Sequence, residues 1–259
     1  MKLEKIKEER KKNKLTFLLK GSTDVFANAI RRLIVEEVPT LAVEDVEVRD
    51  NSSALYDEML ALRLGLMPIS TDLKSYQHKE GCSCQGAGCA QCELKITLKV
   101  ARRGYVYAEE AKSADPKCTF VYPKTPIVKL LPKQKIDVTM TAVLGKGKEH
   151  TKWSSGWAIF MHEPSIKVGK VADAQAIMEK CTDGVFTLKG NTLSVNEENV
   201  YNSQLLEFYS SLDKGITVEY TDNIVFAVES WGQLSCREML QKSAEILLEK
   251  VELLEKAIA

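Results

Sequence analysis

Hydrophobic and polar residues alternate along two stretches in the middle of the chain. Leu94, Ile96, Leu98 and Val100 are separated by polar residues, and the same pattern recurs in KIDVTMTAVLG, which ends at Gly145. A period of two is typical of a strand with one buried face. The shorter segment KLTFLLK, before Gly21, also has strand character. The sequence therefore predicts a β-rich middle region between ends that contain helices.

Helical periodicity appears first near the amino terminus. The segment from Ser22 to Pro39 begins with good N-cap residues and ends at a proline. Its apolar residues recur every three or four positions, which predicts an amphipathic helix. A second helix is predicted across LYDEMLALRLG, ending near Gly65. The stripe of the first helix consists of Phe26, Ala29, Ile30, Leu33 and Ile34.

The final segment carries the longest apolar pattern. Ser235 is a predicted N-cap, and the residues after it form a heptad seam on a helix of more than twenty residues. Such a seam packs either within its own chain or against another chain, and its length favours another chain. The seam consists of Leu240, Ala244, Leu247, Val251, Leu254 and Ile258.

The pattern changes at about His162. From there to Asp222 the sequence predicts a small α/β unit, with helices in DAQAIMEKC and NSQLLEFYSSL, short strands in GVFTLKGNTLSV and a strand in GITVEY. One more strand, in NIVFAVESWG, is predicted before the final helix.

The net charge and composition of the chain disfavour several classes of function. Lysine plus arginine and aspartate plus glutamate number 36 each, so the net charge is zero. A neutral chain is a poor candidate for coating nucleic acid or an anionic membrane through its overall field. There is no apolar run of about 20 residues and no signal peptide. We therefore expect a cytoplasmic protein without a membrane interaction.

Four of the seven cysteines fall within GCSCQGAGCAQCE. Thiolates at this spacing suit a tetrahedral ion such as zinc, and four sulfur ligands leave no open position for water or substrate. We predict one structural zinc, with two local disulfides or four unligated thiols as alternatives. The predicted ligands are Cys82, Cys84, Cys89 and Cys92.

Catalytic motifs are not found. The segment LGKGKEHTKW lacks the spacing of a phosphate-binding loop, and GQLSC is not a nucleophile elbow. The three histidines have no local nucleophile partner, and no acidic cluster has the dense spacing of a phosphoryl-transfer site. We therefore predict that the chain itself has no catalytic residues.

Long ordered stretches resemble one family. FANAIRRLIVEEVPTLAVEDVEV, NSSALYDEMLALRLGLMPI, PIVKLLPKQKIDVTMTAVLGKGKEHTKW and FAVESWGQLSCREMLQKSAEILLEKVELLE resemble the D-type subunits of archaeal DNA-directed RNA polymerase. That family is related to the eukaryotic third-largest subunit and to the bacterial alpha subunit. The resemblance implies an α+β fold with a discontinuous alpha-subunit-like dimerisation domain, an inserted β-rich domain and a degenerate ferredoxin-like α/β insert.

The resemblance also implies the division of the chain and its partners. The dimerisation domain would comprise residues 1–39 and 223–259, the β-rich domain with the zinc residues 40–161, and the ferredoxin-like domain residues 162–222. Family members are non-catalytic parts of a nucleotidyltransferase complex. They pair with a small L-type subunit, and the pair nucleates assembly of the large catalytic subunits alongside other small subunits. DNA would be met only through the whole complex.

The residues implied to contact partners lie on two helices. The segment LYDEMLALRLGLMPI would face a large subunit. For the charged residues, ordinary solvated positions on a helix are the alternative. The implied partner-binding residues are Phe26, Ile30, Arg31, Arg32, Leu33, Leu240, Ala244, Leu247, Val251 and Leu254.

Many relatives carry an iron–sulfur motif, Cys-x2-Cys-x2-Cys-x3-Cys, in the ferredoxin-like insert. Placed on this chain, its ligand positions hold no thiol, so we expect no cluster and a site refilled by packing, with Cys181 as a small core residue. Two rival functions are an electron carrier of ferredoxin type and a zinc-dependent nucleic-acid-binding module. The lost ligand positions are Val200, Ser203, Leu206 and Ser210.

Overall fold

The computed structural model describes residues 1–190, 192–201 and 203–258, and they form a mixed α+β fold. Asn191, Asn202 and Ala259, which fall within the predicted hairpin, the predicted NSQLLEFYSSL helix and the predicted dimerisation domain, lie outside the described residues. The strands are β1 (Lys2–Glu9), β2 (Lys14–Lys20), β3 (Thr40–Asn51), β4 (Leu94–Val100), β5 (Gly104–Tyr107), β6 (Lys112–Ser113), β7 (Pro126–Leu130), β8 (Ile136–Gly145), β9 (Gly156–Val168), β10 (Phe186–Lys189), β11 (Thr192–Val195) and β12 (Ile216–Ser230). The α-helices are α1 (Asp24–Glu36), α2 (Asp57–Gly65), α3 (Ala174–Lys180), α4 (Glu197–Val200), α5 (Leu206–Leu212) and α6 (Cys236–Ile258).

The strands form several sheets rather than one. One four-stranded sheet has the order β1-β2-β12-β9, and another has the order β3-β8-β4-β6. Two further sheets each contain two strands, β5 with β7 and β10 with β11. The chain divides into two compact units, one of residues 1–10, 15–28 and 159–227, the other of residues 11–14, 29–158 and 228–259.

The sheet of the larger unit confirms the alternating pattern. In β4 every apolar residue is buried and every intervening polar residue is exposed. Its buried residues pair with buried residues of β8, for example Ile96 with Met140 and Leu98 with Val138. Helix α2 adds Leu60 and Leu64 to the same core. The cysteine segment ends immediately before β4, so it is directly connected to this core.

The smaller unit has its own core between α3, α5 and the β10–β11 hairpin. Phe186 and Tyr209 meet edge to face, with ring centroids 5.2 Å apart. The Asp173 side chain caps α3 by accepting hydrogen bonds from the N–H groups of Gln175 and Ala176. The predicted order of helices and hairpin strands is confirmed here, and α4 is an additional short helix.

Two long strands differ from the prediction. GITVEY and NIVFAVESWG were predicted as separate strands but belong to one continuous strand, β12, which runs through the polar Asp222 and Asn223. Strand β9 was not predicted, and it runs through His162. The predicted boundaries at 161/162 and 222/223 therefore fall inside strands, and the three-domain division stays a prediction.

Both long helices begin at the predicted caps. The Phe26 N–H donates to Thr23 Oγ1 at 3.3 Å, ahead of α1. At α6 the Glu238 N–H donates to Ser235 Oγ at 3.3 Å, while the Ser235 N–H donates to Glu238 Oε2 at 2.8 Å. This reciprocal pair is a capping box. Among the described residues, no helix has the length and apolar character needed to cross a membrane.

Candidate functional site

The four clustered cysteines converge as the sequence predicts. Their Sγ atoms all lie within 4.8 Å of one another. The Sγ–Sγ distances are 3.5 Å for Cys82–Cys89, 3.6 Å for Cys84–Cys92 and 3.8 Å for Cys89–Cys92. Four sulfurs at about 2.3 Å from a tetrahedral ion would stand about 3.8 Å apart. The four thiols are free, so the disulfide alternative is not the arrangement observed.

The backbone of the cysteine segment turns through left-handed conformations. Gln85, Gly86 and Gly88 have φ angles of 53°, 84° and 88°. Glycine takes such angles without strain, and at Gly88 a Cβ atom would also lie 2.6 Å from a carboxylate oxygen of Glu93. These turns bring the Cys82–Cys84 half of the segment back to the Cys89–Cys92 half.

Hydrogen bonds from the backbone fix each half of the cluster. The Gln85 N–H donates to the Cys82 carbonyl at 2.9 Å, and the Cys92 N–H donates to the Cys89 carbonyl at 3.0 Å. The Cys89 N–H also donates to Cys92 Sγ at 3.3 Å. Sulfur that accepts backbone hydrogen bonds is stabilised as thiolate, the form that binds metals.

The thiols differ in environment. Cys82 and Cys92 are buried, and Cys84 and Cys89 are partly exposed. A hydrogen bond from Cys82 lowers the pKa of the Cys84 thiol to about 6, whereas burial raises the pKa of Cys92 to about 12. A bound cation would favour the thiolate form of all four sulfurs. The donor set can hold one metal ion and closes around it.

The seam on α6 is a separate face from the buried face of that helix. The buried residues are Met239, Ser243 and Ile246. Among the seam residues Leu240 and Leu247 are half-buried and Ala244 is exposed. Val251, Leu254 and Ile258 are 46%, 59% and 77% exposed. The seam therefore lies beside the core stripe, and its last turns are covered by none of the described residues.

Most of the predicted partner-contact residues of α1 are already buried or half-buried by other residues of this chain. Ile30 and Leu33 are buried, and Phe26 and Arg31 are half-buried. Arg32 is exposed and pairs with Glu36 at 3.1 Å. Contact of Ile30 and Leu33 with a partner stays a prediction. Their side chains are less than a tenth exposed, so they offer little surface to a partner.

A second apolar surface lies on and near α2. Met59, Leu62 and Leu66 are each about half exposed. Leu66 also lines a groove of about 310 Å³ together with Tyr122 and Trp231, whose rings are similarly exposed. The two aromatic residues were missed in the sequence, because single aromatic side chains in loops produce no periodic pattern.

The four lost ligand positions all lie in the smaller unit, and none of the four residues carries a thiol. Val200, Ser203 and Leu206 are buried, and Ser210 is half-buried. Cys181 is half-buried and packs against the same core. Ser203 Oγ donates a short hydrogen bond to Asp183. This region is therefore filled by apolar packing and, beyond what we predicted, by a polar network.

Comparison with known proteins gives consistent matches. Residues 46–157 match the family model described as the RNA polymerase Rpb3/RpoA insert domain. This range contains α2, the cysteine cluster, the strands β4, β6 and β8, and the second half of β3.

Curated proteins match over nearly the whole chain. The chain is 33% identical over 241 residues to DNA-directed RNA polymerase subunit Rpo3 of Methanosarcina acetivorans, with 91% of each chain covered. It is 34% identical over 255 residues to the subunit of the same name from Methanosphaera stadtmanae, with 94% of each covered. For the Rpo3 subunit of Archaeoglobus fulgidus the identity is 33% over 252 residues, with 96% of each covered.

Proposed function

The chain belongs to the Rpo3 family of DNA-directed RNA polymerase subunits, and from that premise we propose that it is a non-catalytic assembly subunit of an archaeal RNA polymerase. In this role it pairs with a small L-type subunit, and the pair forms the platform on which the large catalytic subunits assemble for transcription. The complex meets DNA as a whole and works in the cytoplasm. The exposed apolar seam of α6 is the observation that carries the proposal.

The seam supports pairing because its exposure is unfavourable for an isolated chain. Val251, Leu254 and Ile258 follow one another at heptad spacing and lie in water. Fully burying one such side chain stabilises a complex by about 1.5–3 kcal/mol. A partner helix laid along the seam would bury all three together with the exposed part of Leu247. Such an interface resembles a protein core divided between two chains.

The surface around α2 supports docking of a large subunit. Met59 and Leu62 lie on the exposed side of α2, and Leu66 directly follows the helix. Leu60 and Leu64 hold the other side of α2 in the core. A rigid helix with an apolar outer face suits a second interface. We propose that this face meets one of the large catalytic subunits.

We propose zinc as the metal of the cysteine cluster, in a structural role. An all-sulfur donor set with tetrahedral spacing favours zinc among common ions and leaves no coordination position for a substrate. Cys82, Cys84, Cys89 and Cys92 would hold the ion and keep the loop before β4 in one conformation. The loop would then present a fixed surface to the assembled polymerase.

We also propose that the chain contributes no catalytic residue and holds no iron–sulfur cluster. Two histidines have structural contacts that support this: His150 Nδ1 accepts the Lys152 N–H at 3.1 Å, and a ring nitrogen of His162 lies 3.1 Å from the Thr221 carbonyl oxygen. Valine, serine and leucine are buried at three of the four former ligand positions, and the one thiol nearby, Cys181, cannot hold a cluster alone.

Native mass spectrometry of the full chain mixed with a small L-type subunit tests the proposal. The expected species is a 1:1 complex that carries one zinc ion and no iron. Removal of the chain from Leu247 onward should abolish the complex and leave the zinc in place. A normal 1:1 complex of the truncated chain would overturn the role of the seam.

A point variant gives a sharper comparison. Leu254→Asp places a charge in the seam, whereas Leu253→Asp makes the same change on a neighbouring face of α6 with similar exposure. Burying a charge is costly, so Leu254→Asp should weaken the complex at least about tenfold. The Leu253→Asp chain should bind nearly as the wild type does. Equal affinities of the two variants would place the interface elsewhere.

A further inference from the structure

A nearly buried carboxylate lies at the carboxyl end of α1 among three lysines. The Glu37 side chain is 11% exposed. Its Oε1 lies 2.8 Å from Lys250 Nζ and 3.3 Å from Lys148 Nζ, and its Oε2 lies 3.3 Å from Lys146 Nζ. The three lysines come from two distant parts of the sequence and all contact this carboxylate.

A carboxylate at this position needs compensation. The carboxyl end of a helix carries partial negative charge, and α1 has no basic residue in its last turn. Burial alone would raise the pKa of Glu37, but the hydrogen bonds from Lys250, Lys148 and Lys146 outweigh burial and lower the pKa to about 2. Glu37 is therefore charged at neutral pH and bound on both oxygens.

The segment LGKGKEHTKW supplies two of the lysines. At Gly147 a Cβ atom would lie 2.0 Å from the Val35 carbonyl oxygen, so the loop passes against the last turn of α1. The Lys148 N–H donates to the Glu36 carbonyl at 3.0 Å and so caps that turn. The segment that fails as a phosphate-binding loop thus serves as a cap that carries Lys146 and Lys148 to Glu37.

The third lysine belongs to α6. Met239, Ser243 and Ile246 form the buried stripe of the helix, and Lys250 follows on the same face with its side chain 50% exposed. All residues from 251 to 258 are exposed. The Glu37–Lys250 pair consequently lies between the part of α6 that packs against the core, which ends near Ile246, and the exposed last turns from residue 251 onward.

We propose that Glu37 is a positioning residue for the partner-binding helix: it holds Lys250 and thereby fixes the direction in which Val251 and Leu254 are presented to the partner. This inference rests on the proposed function, because it takes α6 to be the partner-binding helix. Lys146 and Lys148 keep the carboxylate charged and in place. A partner then finds the last turns of α6 already oriented, which lowers the ordering cost of binding.

Amide hydrogen exchange of the full chain alone tests the anchor directly. Glu37→Gln removes the charge and keeps the shape, and Lys250→Gln removes only the α6 side of the pair. Both variants should exchange faster at residues 247–258. Glu36→Gln is the matched control, because the Glu36 side chain pairs with Arg32 on the surface, and it should leave the exchange of α6 unchanged.

Titration with the small L-type subunit tests the consequence. We expect both anchor variants to bind about tenfold more weakly than wild type, with Glu36→Gln unchanged. Wild-type exchange and affinity in both anchor variants would overturn the positioning role. If Glu37→Gln does not fold, Lys250→Gln decides, since it leaves Glu37 paired with Lys146 and Lys148. A wild-type chain that does not bind the L-type subunit would refute the proposed function, while hydrogen exchange still decides whether Glu37 anchors α6.

Discussion

The Tyr209 hydroxyl donates a hydrogen bond of 2.7 Å to Asp183 Oδ1 in the core of the smaller unit. Asp183 also accepts hydrogen bonds from Ser203 Oγ and from the Val185 N–H. Asp183 lies in the turn before β10. Its carboxylate thus links that turn to Ser203, just before α5, and to Tyr209 on the buried face of α5. A partly buried carboxylate with several donors is stabilising only while those donors are present.

Removal of one donor should weaken this unit. Tyr209→Phe deletes the hydroxyl and keeps the ring against Phe186, so the expected loss is about 1.5–3 kcal/mol of unfolding free energy, typical of a hydrogen bond to a charged group. Urea unfolding followed by circular dichroism measures it. Tyr220→Phe, at an exposed position of the same unit, is the control and should have little effect. Equal stability of the two variants would contradict a role for the Tyr209 bond.

The Asp183 network also predicts a pH dependence. Burial raises the pKa of Asp183, but the hydrogen bonds from Ser203 and Tyr209 outweigh it, and the net pKa lies below the ordinary value of 3.8. A carboxyl group with a depressed pKa in the folded state stabilises the fold above its unfolded pKa. That stabilisation is lost as pH falls below about 4.

Unfolding free energies measured from pH 7 to pH 2 check this dependence. Asp183→Asn should be less stable than wild type at neutral pH and should lose less stability on acidification. The remaining slope should come from other carboxylates such as Glu37, whose pKa is about 2. Parallel curves for wild type and Asp183→Asn would show that Asp183 does not titrate with a shifted pKa.

If the cysteine cluster is the metal site, the purified chain should contain one zinc ion that depends on these cysteines. Replacement of Cys89 and Cys92 by serine removes two of four ligands and should release one zinc ion, measured by elemental analysis of the purified chain. Hydrogen exchange should then rise between residues 78 and 93. Cys236→Ser is the control, since Cys236 lies outside the cluster and serine can still donate to the Asn13 carbonyl. Unchanged metal content after the double replacement would exclude the cluster as the metal site.

The contact of Gly147 with α1 predicts a cost for any side chain there. In Gly147→Ala the Cβ atom meets the Val35 carbonyl, so the loop must move and the cap on Glu36 is lost. We expect a loss of about 1–3 kcal/mol in thermal or urea unfolding. Gly65→Ala, whose Cβ would lie 3.6 Å from its nearest neighbour, should be tolerated. Equal stability of the two variants would contradict the close approach.

Features with a local pattern could be predicted from the sequence. The alternation in β4, the caps of α1 and α6 and the convergence of Cys82 with Cys92 depend on residues close together in the chain. The α6 seam could also be located, because heptad spacing is visible in a single helix. The family resemblance is likewise supported, because it spans most of the chain.

Features that depend on distant residues could not be predicted. Lys250 lies more than two hundred positions after Glu37, and neither residue has a neighbour that indicates the pair. Strand β12 was predicted as two separate strands, because the ladder that continues through Asp222 and Asn223 is set by tertiary structure. The burial of Ile30 and Leu33 within this chain has the same cause, since an amphipathic stripe does not state which neighbour covers it.

The two ends of the loop that carries the cysteine cluster, residues 77 to 91, lie next to each other. The Gln77 N–H donates to the Gln91 carbonyl at 2.9 Å, and β4 follows three residues later. A loop closed at its base can be shortened, lengthened or exchanged without shifting the strands that follow. If the proposed zinc ion were lost, the loop should loosen and the sheet should keep its structure. The metal-binding loop and the sheet beside it are in this sense separate structural parts, and a change in one need not change the other.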